Sequence, residues 1–177
     1  MPVRSGFLIL AIGATAVAGC ESLGQVPTER LGSARLMLAN GLPAGTVQLI
    51  GNGETLSLVV AAAGLPEGQH GFHLHTVGRC DQPDFTSAGP HLNPAGNRHG
   101  LDNPQGPHLG DLPNLTVSLR GTAAATIALR GTQAQLLEQL FDSDGTSVIV
   151  HAQPDDGSTE PTGNAGARIA CGLLTGG

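Results

Sequence analysis

Six of the seven histidines of this chain fall between residues 70 and 111, in the stretch HGFHLHTVGRCDQPDFTSAGPHLNPAGNRHGLDNPQGPHLGD. The seventh, His151, sits in a later apolar run, VIVHA. Neutral imidazole offers a nitrogen lone pair near physiological pH and is the commonest metal ligand. So dense a set, in a chain without Trp, Tyr or Lys, reads as metal binding, and as two sites. His73 and His75 are two apart in an alternating run, so a strand turns both rings to one face and offers one ion a rigid platform. His151 ends another such run, which a neighbouring strand can bring to the same ion. His91, His99, His108 and Asp111 are separated by 8, 9 and 3 residues. Three imidazoles and a carboxylate make the closed tetrahedral set of a structural zinc. A site of imidazoles alone suits copper, which tolerates tetragonal nitrogen geometry.

The remaining pattern is one of short strands. Segments 34–39, 46–51, 55–62, 70–75, 115–120, 125–130, 146–152 and 167–174 are rich in apolar and β-branched residues, and Gly, Pro or Asn punctuates them. Several alternate apolar with polar, as half-buried strands do. Eight strands with turn signals between them imply an antiparallel sandwich or barrel. QAQLLEQLF (133–141) has helical spacing but is short, and reads as a helical turn or loop. Two long loops, 76–113 and 153–166, each begin at a histidine-bearing strand end, which places the chemistry at one rim of the barrel. Loops of that length inside a compact domain are usually functional.

Charge narrows the partners. All eight basic residues are Arg, against 14 acidic ones, for a net charge of −6. An acidic chain without basic runs gives nucleic acid little to hold. The start differs in character: Arg4, an apolar run from Phe7 to Ala18, then VAGC at 17–20. This is the layout of an export signal, too short to span a bilayer comfortably. VAGC also resembles the bacterial lipobox, whose cysteine is lipidated and becomes the mature N-terminus. The expected organisation is a lipoprotein signal peptide at 1–19, a lipidated N-terminus and tether at 20–33, and one domain at 34–177. If Cys20 carries lipid, Cys80 and Cys171 remain as an even pair in an oxidising compartment.

GFHLH (71–75), GPHLNP (89–94), HG (99–100), PHLGDLPN (107–114) and GNAGARIACG (163–172) together resemble the copper–zinc superoxide dismutase family, in its exported bacterial branch. The resemblance implies an all-β, eight-stranded antiparallel Greek-key β-sandwich or barrel with two long functional loops. It implies copper ligands His73, His75, His91 and His151. It implies zinc ligands His91, His99, His108 and Asp111, with His91 bridging both metals and carrying a proton during turnover. Cys80 and Cys171 fall where the family has its intrachain disulfide. Asp155 resembles the carboxylate that joins a copper ligand to a zinc ligand, and Arg168 the arginine that receives the substrate anion. The implied reaction is disproportionation of superoxide to oxygen and hydrogen peroxide, with copper cycling between Cu(II) and Cu(I). The implied setting is the periplasm or cell envelope, membrane-anchored through Cys20, with a homodimer as a possible assembly.

Two rival readings accompany this one. A non-enzymatic copper-binding envelope protein of the same fold would bind metal without turnover. A zinc hydrolase fits less well, because the set lacks an obvious general base. His70, beside Gly71, reads as a buried structural residue. Asp102 and Asp156 read as loop-solvating charges, and Arg79 and Arg98 as surface cations. Asn114-Leu115-Thr116 matches a glycosylation acceptor. The chain departs from the family in having no Lys to draw in superoxide, and 157–163 offers Glu160 instead.

Overall fold

The computed structural model describes Met1 and residues 28–177. The expected signal peptide and the expected lipidation at Cys20 lie outside the described residues. Among the described residues nine strands and one α-helix follow in order: β1 (Glu29–Leu38), β2 (Pro43–Gly51), β3 (Leu56–Ala63), β4 (Gly68–His70), β5 (Phe72–His75), β6 (Leu115–Val117), β7 (Thr122–Ala128), α1 (Gln133–Leu140), β8 (Thr146–His151) and β9 (Arg168–Gly176). A seven-stranded antiparallel sheet runs β5-β8-β9-β1-β2-β3-β7, and β4 pairs with β6 in a small second sheet. β4 leads into β5 at one edge of the large sheet. β6 leads into β7 at the other edge through a turn in which Ser118 N–H donates to the Thr122 carbonyl at 2.9 Å. The small sheet therefore bridges the two edges of the large one, and the connections skip neighbouring strands in the Greek-key manner.

Eight expected strands become nine because Gly71 divides the fourth. Its N–H donates to the Gln153 carbonyl and its own carbonyl accepts from His151 N–H, both at 2.8 Å. Pairing passes there from β6 to β8. The first strand starts at Glu29 rather than Ala34, since 29–33 pair with β2 and Leu31 packs on the core. QAQLLEQL is a full α-helix rather than a turn. Thr132 and Gln135 form a capping box at its start, and Leu136 and Leu140 are buried in the core. Such a cap contributes about 1 kcal/mol, and the buried leucines more.

Two packed layers position the site. The barrel interior takes Leu36, Val47, Leu58, Phe72, Leu74, Val148 and Val150. Both β5 and β8 are buried on both faces, because the first long loop covers their outer side. Phe85 and Ala88 of that loop pack on Ile149 and Cys171 in a second apolar cluster. Beside it the disulfide Cys80–Cys171 ties the loop to β9 across 91 residues of sequence. Closing so long a loop is worth up to about 4–5 kcal/mol in the chain-entropy model.

Candidate metal centre

Strand alternation sets the first half of the site. Phe72 and Leu74 point into the barrel, so His73 and His75 point out, beneath the covering loop. On β8, Val148 and Val150 face inward, which turns His151 to the same outer side. The histidines therefore sit on the outer wall of the barrel, not at its rim. The loop reaches them by using the free edge of β5. Leu74 N–H donates to the Gly110 carbonyl at 3.0 Å, and Leu92 N–H donates to the Leu74 carbonyl at 2.9 Å. These contacts place His91 opposite His75 and Asp111 opposite His73. Gly110 permits the approach, since a Cβ there would stand 2.2 Å from the Leu74 carbonyl oxygen.

Two groups of donor atoms converge, one from His73, His75, His91 and His151, the other from His91, His99, His108 and Asp111. Within each group the donor atoms lie within 4.8 Å of one another, and all seven residues are buried. In the first group Nδ1 of His73 and Nε2 of His75, His91 and His151 are buried without a hydrogen-bond partner. Leaving such a nitrogen unpaired costs on the order of 1–3 kcal/mol, and a metal ion satisfies all four at once. The opposite nitrogens fix each tautomer. His75 Nδ1–H donates to the Gly89 carbonyl at 2.8 Å and His151 Nδ1–H to the Gly166 carbonyl at 3.1 Å. His73 Nε2–H donates to Asp155 Oδ2 at 2.6 Å.

The second group gathers around one carboxylate oxygen. Nδ1 of His91, His99 and His108 lie 2.8, 3.1 and 3.2 Å from Asp111 Oδ1. Asp111 Oδ2 accepts the backbone N–H of Gly100 and of His108, each at 2.9 Å. His91 thus turns Nδ1 to one group and Nε2 to the other. Asp155 joins the groups a second time, with Oδ1 3.1 Å from His99 Nε2. Gly163 makes room for it, because a Cβ at 163 would fall 1.9 Å from that oxygen.

The electrostatics suit lone-pair donation. Burial, helped by neighbouring His91, lowers His75 to about 2. Burial and His73 lower His151 to about 3. Burial lowers His91 to about 4, against the hydrogen bond to Asp111 that raises it. Burial raises the Asp155 carboxyl, but hydrogen bonds from His73, Gly157 and His99 outweigh it and hold the group at about 2. Asp111 likewise lies below the usual carboxylate range, as hydrogen bonds from His91, Gly100 and His108 overcome burial. At neutral pH His75, His91 and His151 are neutral rings and Asp111 and Asp155 charged carboxylates, as metal ligation requires.

Residues 43–174 match the family described as copper/zinc superoxide dismutase. The chain belongs to that family. A superoxide dismutase [Cu-Zn] of Caulobacter vibrioides is 41% identical over 141 residues, 76% of this chain and 80% of the relative. One from Aquifex aeolicus is 38% identical over 144 residues, 80% of this chain and 84% of the relative. The crystal structure of a superoxide dismutase-like protein from Bacillus subtilis superposes with a TM-score of 0.75 at 37% identity, covering 81% of this chain and 97% of that one.

As in the superoxide dismutase resemblance drawn from the sequence, the expected metal donors come together, and Asp155 lies between the two groups. Arg168 stands at the open side of the first group, half-buried. Its guanidinium donates to the Phe85 and Gly89 carbonyls, both at 2.6 Å, so the Gly89 oxygen is shared with His75. A hollow of about 770 Å³ opens here, lined by His91, Asn93, Asp142, Glu160, Thr162 and Arg168. His70 stays outside both groups, its ring nitrogens 2.7 Å from the His151 carbonyl and 3.0 Å from the Pro66 carbonyl. Arg79 pairs with Asp81 at the surface.

Three positions act otherwise than their sequence suggests. The Asn114 amide is engaged at both ends: Nδ2 donates to the Asp155 carbonyl and Oδ1 accepts Asp155 N–H, each at 2.8 Å. It clamps the two loops together and is not presented as a glycosylation acceptor. Asp156 is a loop organiser, accepting from Ser158 N–H, Thr159 N–H and the Asn164 amide. Glu160 accepts His99 N–H at 3.0 Å, tying the last loop to the second group. No local pattern marks the Asn114 and Glu160 contacts, since their partners lie in another loop, whereas those of Asp156 are within its own loop.

Proposed function

We propose that the chain disproportionates superoxide, two anions and two protons giving one oxygen and one hydrogen peroxide. In this reading His73, His75, His91 and His151 hold copper, and His91, His99, His108 and Asp111 hold zinc. The observation that carries it is the set of four buried, unpartnered nitrogens sharing His91 with a complete three-histidine, one-aspartate group. Copper held there would supply the one-electron redox chemistry that disproportionation needs, while zinc has no redox chemistry of its own. Arg168 binds and orients the anion at the open side with a planar donor fork that stays charged at working pH. His91 Nε2, the nitrogen it turns to the first group, is the atom that would hold a proton and deliver it to the reduced product. Asp155 keeps His73 and His99 in the tautomers that donate to metal. The covering loop excludes bulk water from all but the open face.

We further infer export, with 1–19 as a lipoprotein signal peptide, Cys20 as the lipidated residue holding the protein to a membrane, and a short tether before the domain. The export pattern at residues 4–20 and the Cys80–Cys171 disulfide, which persists in oxidising compartments such as the periplasm, support this. A homodimer fits the reading.

The test is superoxide disproportionation by residues 21–177, disulfide formed, with copper and zinc counted in the same sample. Fast turnover at one copper and one zinc per chain is expected. Full metal content without turnover would favour the copper-binding rival. Replacing Arg168 by Leu should slow turnover by about 10–100-fold at unchanged metal content.

A further inference from the structure

The turn His108–Asp111 carries two of the four donors of the second group. It is closed from within by the Asp111 carboxylate, which accepts His108 N–H at 2.9 Å, and by Asp111 N–H on the His108 carbonyl at 3.3 Å. From outside, a single nitrogen closes it again. Nη2 of Arg130 donates to the His108 carbonyl at 2.9 Å and to the Asp111 carbonyl at 2.8 Å. Arg130 comes from the link between β7 and α1, a rigid part of the barrel. Its neighbour Leu129 is buried and donates to the Leu56 carbonyl at 2.9 Å, and the helix cap Thr132 follows two residues later. Among the described residues no carboxylate lies within ion-pair distance of Arg130. Instead it lines a hollow of about 360 Å³ between the loop and α1, with His108, Leu109, Gln135 and Gln139. Water can reach the guanidinium there, so its charge does not demand a carboxylate, and its donors are left for the two carbonyls.

We propose that Arg130 is a positioning residue for the zinc site, holding the His108 and Asp111 carbonyls on one guanidinium nitrogen and so setting the spacing of those two donors. The planar guanidinium presents two hydrogens on one nitrogen and so meets both carbonyls at once. An ammonium is a point charge on a more mobile stem and holds such a pair less rigidly. Outer partners that hold ligating residues in place typically change metal affinity by about 10–100-fold when lost. The inference rests on the zinc reading of His91, His99, His108 and Asp111.

The experiment uses the chain loaded with copper and zinc, as wild type, Arg130→Met, Arg130→Lys and Asp111→Asn. Zinc transfer to a chromogenic chelator is timed, and cobalt(II) is placed in the zinc position for its visible ligand-field bands. Arg130→Met should release zinc about 10–100-fold faster and shift the cobalt bands while copper stays bound, with Arg130→Lys in between. The bands report donor geometry, which a merely stabilising residue would leave alone. Wild-type release rates and bands in both Arg130 variants would overturn the assignment, and should Arg130→Met not fold, the Lys variant decides by the same measure. Zinc held by the wild type, lost in Asp111→Asn and kept normally in Arg130→Met would sink Arg130 alone. A wild type that binds no zinc, or Asp111→Asn that keeps it, would remove the underlying zinc reading.

Discussion

The two donor groups share His91 but are built by opposite means. His73, His75 and His151 stand on strands whose other face is the barrel core, so their Cα positions are set before any metal arrives. What they lack is partners: one buried ring nitrogen of each, like Nε2 of His91, has none. His99 and His108 lie in a loop outside any strand, and Asp111 where that loop meets the edge of β5, yet they are internally satisfied, because Asp111 takes three ring nitrogens and two backbone N–H groups. A rigid scaffold tolerates unsatisfied donors. A loop needs an organising charge to hold its shape. The strand group is thereby suited to an ion that changes oxidation state within fixed nitrogens, and the loop group to one that holds the covering segment closed.

Cutting each group at one residue should separate these roles most widely. His151→Ala should lower turnover by at least about 100-fold while zinc content stays near that of the wild type. Asp111→Asn should weaken zinc binding by about 100-fold and raise amide exchange across 90–113, with β5 and β8 still protected. Equal exchange in the loop of both variants would break the comparison. Asp155 sharpens it, being hydrogen-bonded to His73 at 2.6 Å and His99 at 3.1 Å. Asp155→Asn should cost about 10-fold in affinity for both metals; a loss confined to zinc would show that the strand group needs no orienting partner.

Acid should act on the three lowered histidines and on the two carboxylates in different windows in the metal-free protein. His75, His91 and His151 have folded values of about 2, 4 and 3, below the ordinary 6.5. The unfolded chain therefore binds their protons first. Their contribution is complete above pH 6.5 and is lost as pH falls from there toward the folded values, by up to about 1.4 kcal/mol per pH unit for each ring. Asp111 and Asp155 are lowered from 3.8, so their contribution is lost only below that value. Urea midpoints measured from about pH 7 down to about pH 3 should fall first through the histidine window. A midpoint flat down to about pH 4 would contradict the burial of these rings. The smallest effect expected concerns salt. The mouth has Arg168 opposed by Glu160 and Asp142 and no Lys, so turnover should change by less than about two-fold between low and physiological ionic strength. A steep fall would mean that other arginines steer the anion.

Much of this was legible along the chain because it depends on short-range periodicity. A His-x-His pair in a strand must share a face whatever surrounds it, and Gly and Pro mark where strands stop. The helix at 133–140 is poorly legible in the sequence because its length alone is marginal, and its stability comes from the Thr132–Gln135 cap and from Leu136 and Leu140 entering a core no local window contains. Likewise 29–33 pattern poorly alone and become strand only against β2. Donor types, their spacing, the alternation of β5 and β8 and the presence of paired cysteines are properties of the sequence itself. Which nitrogen of each ring faces the metal, how the loop pairs with the edge of β5, the outer-wall location of the site, and the holds of Asn114, Glu160 and Arg130 were decided only by tertiary structure. The reason is distance along the chain: His73 finds Asp155, and Asn114 the same loop, 82 and 41 residues away. Such partners meet only once the barrel has closed.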